Sequence, residues 1–187
     1  GWVITEPEYV RKYQPGASVP LYFSAVLDSF KVQVEKLGYD ITFVNRNLGG
    51  RTMTYLEHCH YRGVDGAVIA CVDFNDPQVV ELVNSDVPVV TIDHVFNNRM
   101  AVLSDNVAGL KALVKQAWAC GHRRIAFIHG EKTSVTENRI AGFYQACEEL
   151  GLEIPEEYVR DGVYHDVERC AEETRALLAL PLSLIHI

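Results

Sequence analysis

The chain has 187 residues, 48% hydrophobic and 22% charged, an ordinary balance for a globular protein that excludes disordered and fibrous classes. A formal charge of -8 argues against these residues gripping a polyanion, because nucleic-acid affinity rests on lysine and arginine neutralising phosphates. The longest apolar runs, residues 66–72 and 87–92, are strand-sized and far short of the roughly 18 to 20 residues that span a bilayer, and residues 1–9 lack the basic lead of a secretory signal.

A short run at residues 2–5 predicts the first strand. Phe23, Val26, Leu27, Phe30, Val34 and Leu37 then recur at three- and four-residue steps, which predicts a helix ended by Gly38. Residues 41–44 predict the next strand. A helix through Met53, Leu56 and Cys59 stops near Gly63, and residues 66–70, apolar throughout, predict a strand buried on both faces. Asp76 and Pro77 supply a cap and first-turn proline for a helix through Val79, Val80 and Val83. Pro88 forces the chain into a strand over 89–92, and 100–103 forms another short run. Asp105 or Asn106 caps the following helix, whose stripe of Leu110, Leu113, Val114, Ala117 and Trp118 is closed by Gly121. After a strand over 125–128, Ser134 and Glu137 have the spacing of a capping box for a helix through Ile140, Phe143, Tyr144, Cys147 and Leu150. A last helix is expected over about 166–180.

Strands alternating with helices imply parallel pairing through right-handed crossovers, so the fold class is doubly wound α/β. Ligands in that class sit at strand carboxyl ends, where this chain places Glu6, Pro7, Asn45, Cys71 to Asp73, Asp93, His94, Asp105 and the loop from His129 to Arg139. Residues 181–187 give one short apolar run, which is either a genuine strand or, in 182–187, sequence foreign to the gene. The second lobe is expected to be truncated there.

Cys59, Cys71, Cys120, Cys147 and Cys170 are odd in number, lie far apart and form no C-x-x-C pair, which fits buried free thiols in a reducing compartment, the cytoplasm. His58-Cys59-His60 invites a metal reading, but consecutive helical residues diverge and no second ligand pair follows, so a solvated helix face is preferred. Gly49-Gly50-Arg51 could hold an anion at a helix start but lacks a P-loop or G-x-G-x-x-G pattern, and a plain turn is preferred. No nucleophile elbow, phosphate loop or metal cluster is present, so no catalytic residue, cofactor or enzymatic activity is expected.

Four blocks in order are more specific: Pro88 to Asp93 (PVVTID), Ser104 to Gly109 (SDNVAG), Gly121 to Ile128 (GHRRIAFI) and Arg139 to Phe143 (RIAGF). With Gly63 to Gly66 (GVDG) and Pro20 to Phe23 (PLYF), they resemble the LacI/GalR transcription regulators over roughly residues 1–180. The resemblance implies a two-lobed, periplasmic-binding-protein-like domain of type I that senses a small sugar or related metabolite by lobe closure. It also implies an amino-terminal helix-turn-helix, absent from these residues, that binds operator DNA, and a homodimer with no membrane association. Residues 1–121 would form the first lobe and 122–187 the start of the second, with Gly121 to Arg124 at the crossing. The alternative with the same fold is the sugar-binding receptor of an ABC uptake system.

The resemblance places Arg139 against the sugar, where its planar fork can bind adjacent hydroxyls; otherwise it is a surface arginine in a helix's first turn. Thr136 shares that face, with helix capping as its alternative role. Asp105 matches a family aspartate able to accept from sugar hydroxyls or pair with Arg139, the alternative being simple capping. Tyr22 matches a position where a bulky side chain packs on ligand, the alternative being ordinary core. Asp73 is proposed from its place at the end of an apolar strand, where it could equally start a turn. Three departures touch the expected site: a long loop over 8–19, Glu131 where the family often has proline, and a compact loop before Arg139.

Overall fold

The computed structural model describes residues 21–164 and 166–180, with side chains from residue 25 onward. The strand expected at 2–5 and the run at 181–187 lie outside them. The chain divides into two compact units, Gly1–Leu103 and Ser104–Ile187.

The first unit opens with α1, Leu21–Lys36, and turns at Gly38, whose φ of 79° is glycine's own region. Residues 41–44 form no ladder with other described residues, although Val44 is 1% exposed and fully in the core. A hairpin follows instead of a helix start: β1, Asn47–Leu48, pairs antiparallel with β2, Arg51–Thr52, around Gly49 and Gly50 at φ 57° and 84°. Two successive positive φ values are what a two-residue turn between twisted strands demands, and the glycines meet that demand.

Helix α2, Tyr55–Arg62, starts at a full capping box, Thr54 with Glu57, and stops at Gly63 in the left-handed conformation. Its inner face buries Tyr55, His58 and Cys59. The solvated face expected for His58-Cys59-His60 is thereby corrected: His58 is 0% exposed, accepts from Arg62 Nε at Nε2 (3.3 Å), and presents Nδ1 to the Asn45 carbonyl at 2.9 Å. His60 alone is exposed, beside Asp86.

Strands β3 (Ala67–Ile69), β4 (Val89–Ile92) and β5 (Met100–Val102) then form a parallel sheet in the order β3-β4-β5. Between β3 and β4 lies α3, Pro77–Val83, capped by Asp76, whose carboxylate accepts from Gln78 N at 2.8 Å, with Pro77 in the first turn as expected. Ile69, Val79, Leu82, Val83 and Val89 close the core with Val44 and Tyr55, each large side chain contributing about 1.5–3 kcal/mol by burial.

The second unit begins with α4, Asn106–Ala119. Asp105, the first of the two expected caps, accepts from Ala108 N at 3.0 Å. Parallel strands β6 (Phe127–His129) and β7 (Val159–Asp161) flank α5, Ser134–Glu149, and α6, Val167–Leu178, follows its cap Asp166. Thr133, not Ser134, caps α5, accepting from Thr136 N at 3.2 Å, so the Ser134–Glu137 box is corrected by one residue.

The division after Leu103 differs from the expected crossing at Gly121 to Arg124. Its cause is the stripe on α4: Leu110, Val114 and Ala117 share one core with Ile125, Phe143, Ala146 and Cys147, which binds α4 to α5. No helix among the described residues is long and apolar enough to cross a membrane.

Candidate functional site

Parallel pairing of β6 and β7, with His129 opposite Asp161, brings the loops that follow them to one end of the second unit. Gly130 comes directly after β6. A Cβ there would lie 2.1–2.4 Å from ring carbons of Tyr164, so only glycine lets that ring lie across the loop. Gly162 lets the two loops close up, its N–H reaching the His129 carbonyl at 2.8 Å. The Tyr164 N–H donates to Glu131 Oε2 at 3.0 Å.

The Tyr164 hydroxyl collects the two predicted residues of α5. It lies 3.0 Å from Thr136 Oγ1 and accepts from Arg139 Nη1 at 3.3 Å. Thr136 is 1% exposed and receives a further hydrogen bond from the Thr133 hydroxyl at 3.2 Å. Three-residue spacing on one helix puts Thr136 and Arg139 on the same face, as the sequence requires. Arg139 is half-buried, and its Nε donates to Asn106 Oδ1 at 2.9 Å. Asn106 is anchored in turn through Nδ2 to the Ser104 carbonyl at 3.1 Å. The cluster therefore offers fixed hydrogen-bond donors, hydroxyls and one aromatic face, with no nucleophile set against a base.

The remaining predicted residues are placed differently. Asp105 is exposed and spends one oxygen capping α4, while its neighbour Asn106 is the group that meets Arg139. Asp73 is exposed and accepts from Asn75 N at 2.9 Å, a turn of its own making. Tyr22 lies on α1, and its side chain is outside the described residues.

Sequence reasoning passes over Tyr164, and takes Asn106 only as a possible helix cap and Gly130 only as part of the loop from His129 to Arg139. An aromatic residue three positions beyond a strand's carboxyl end was the available signal for Tyr164, but β7 itself reads Val-Arg-Asp and carries too little apolar pattern to be seen.

The first unit has its own unusual strand ends. Cys71 and Asp93, after β3 and β4, hold φ of 57° and 59°, a conformation that costs non-glycine residues about 1–3 kcal/mol each. Burial, and then the Asp93 charge, push the Cys71 thiol up to about 12. The His94 ring stacks on Phe74 at 4.2 Å between centroids, with Phe96 edge-on at 4.8 Å, and burial lowers the His94 pKa. Thr91 anchors that loop, donating to the His94 carbonyl at 2.5 Å.

A family model described as periplasmic binding proteins and sugar binding domain of LacI family matches residues 14–179. The HTH-type transcriptional repressor PurR of Haemophilus influenzae (strain PittEE) is 27% identical over 169 residues, covering 87% of this chain and 50% of that protein. The chain thus spans about half the length of the curated relatives it matches. A regulatory protein of LacI family from Chloroflexus aggregans superposes with a TM-score of 0.74 at 22% identity, covering 96% of this chain and 63% of the other. The transcriptional regulator CelR in complex with cellobiose gives 0.69 at 22% identity, covering 95% and 54%.

Proposed function

The chain belongs to the family of periplasmic binding proteins and LacI-type sugar-binding domains, and from that premise we propose that it is the effector-binding part of a DNA-binding transcriptional repressor. The observation that carries the reading is the meeting of Thr136, Arg139 and Tyr164 at the carboxyl ends of β6 and β7. A neutral sugar or related metabolite suits that chemistry: the guanidinium donates to hydroxyl or carbonyl oxygens, and the tyrosine ring packs on an apolar sugar face. Asp105 has a second carboxylate oxygen with which to accept from a hydroxyl. The kinship with repressors and the cellobiose bound by CelR support this choice over an uptake receptor.

In this reading the complete protein is a cytoplasmic homodimer whose helix-turn-helix heads bind operator DNA. The effector acts without covalent chemistry, through its unequal affinity for two conformations. All five cysteines are free thiols, and burial pushes Cys59 and Cys147 up to about 11, where they are inert at neutral pH. The test uses a protein carrying the DNA-binding head: Arg139→Ala should abolish release or recruitment by effector while operator affinity stays intact. A normal effector response in that variant refutes the site.

A further inference from the structure

We propose that Glu131 is a positioning residue that holds Tyr164 across the effector-facing end of the second unit, and so decides which part of the Arg139 guanidinium an effector meets. The inference rests on the reading of Arg139 as an effector contact, and adds to it a residue of the loop between β6 and α5. Tyr164 stands in the opposite loop, between β7 and α6, and is held at both ends. Its backbone N–H is taken by Glu131 Oε2 at 3.0 Å, and its hydroxyl by Thr136 at 3.0 Å and Arg139 Nη1 at 3.3 Å. Between those ends the ring lies in the space Gly130 leaves by having no Cβ.

A hydrogen bond from a backbone amide to an ionised carboxylate is stronger and more directional than one to water, so Glu131 restricts where the Tyr164 backbone can go. Restricting the backbone restricts the ring. With Nε engaged by Asn106 and Nη1 by the phenol, Nη2 is the guanidinium nitrogen that bonds to none of the described residues. A carboxylate bound side-on through Nε and Nη2 would have to displace Asn106, because Nε has a single hydrogen. A single hydroxyl or carbonyl oxygen needs no displacement. The Glu131 charge beside the same loop adds repulsion against anions, so the arrangement favours neutral effectors.

The experiment is proton–nitrogen NMR on the 187-residue chain with no effector present, so its failure is distinct from failure of the effector reading. In the wild type the Gly130 α protons should be shifted upfield by the Tyr164 ring, and the Tyr164 amide should exchange slowly with solvent. Glu131→Ala should speed exchange of the Tyr164 amide about five- to tenfold and return the Gly130 protons toward unshifted positions. Glu131→Gln, which keeps an acceptor oxygen, should retain both the ring shift and the slow exchange of the Tyr164 amide. An unmoved Gly130 signal in Glu131→Ala overturns the proposal. So does loss of the Gly130 ring shift in Glu131→Gln, a criterion that holds even if the alanine variant fails to fold.

Discussion

Gly142 of α5 lies against the backbone of Val107 in α4, so closely that a Cβ would come 2.6 Å from the Val107 carbonyl oxygen and 3.0 Å from its Cα. Backbone cannot swing aside as a side chain can. Gly142→Ala should therefore destabilise the second unit by about 1–3 kcal/mol, the range for overpacking a close contact. Gly109, on α4 itself, has nothing within 4 Å of a Cβ, and Gly109→Ala should stabilise by about 0.5–1 kcal/mol through helix propensity. Urea unfolding of both variants checks the pair; equal signs for the two would contradict the helix packing.

Thr136 supplies a hydroxyl at a site only 1% exposed, bonded to the hydroxyls of Thr133 and Tyr164. Thr136→Val keeps the shape and removes the oxygen, leaving both partners with one bond fewer. A loss of about 1–2 kcal/mol is expected in denaturant titration. A variant as stable as wild type would mean that water already serves those groups.

How far the fold can be read from the sequence follows from the range of the forces. Periodicity and punctuation are local, and they located α2 with its stop at Gly63, the Asp76-Pro77 start of α3 and the stripe of α4. Pairing is not local: residues 41–44 have strand-like composition, yet form no ladder with the described residues. The choice between Asp105 and Asn106 shows the same limit at the site. Both are good caps one residue apart, and only the packing of α4 on α5 decides that the amide, rather than the carboxylate, faces Arg139. The pair Thr136 and Arg139 was legible because three-residue spacing on a helix is itself geometry, whereas Tyr164 reaches them from 25 or more residues away through a sheet that the pattern does not reveal.

Glu149 at the end of α5 is clasped by Lys111 and Lys115 of α4, and their hydrogen bonds, Lys111 first, lower its pKa from 4.5 to about 2. A carboxylate depressed in the folded state stabilises above its unfolded pKa and loses that contribution as pH falls through the folded value. The α4–α5 clasp should therefore weaken between about pH 4.5 and 2, and Glu149→Gln should flatten the stability curve in that window only. Since the group is exposed, added salt should shrink the difference as well. Thermal midpoints across that range at low and high salt provide the measurement, and a wild-type curve matching that of the variant would exclude the clasp.

Gly130 and Tyr164 pose the opposite case to Gly142, because the atoms a new Cβ would strike belong to a ring that can rotate away. Gly130→Ala should therefore cost only the roughly 1–2 kcal/mol of the hydroxyl contacts with Thr136 and Arg139 that break as the ring is expelled from its place. The freed phenol should then react faster with tetranitromethane, read as nitration of the Tyr164 peptide by mass spectrometry. Thr136 and Arg139 would gain the water that the ring excludes, so effector affinity should fall by more than the small loss of stability accounts for. If nitration of Tyr164 is unchanged and the domain instead loses about 2 kcal/mol or more, the ring is wedged in place rather than resting there, and Tyr164 belongs to the scaffold and not to the pocket.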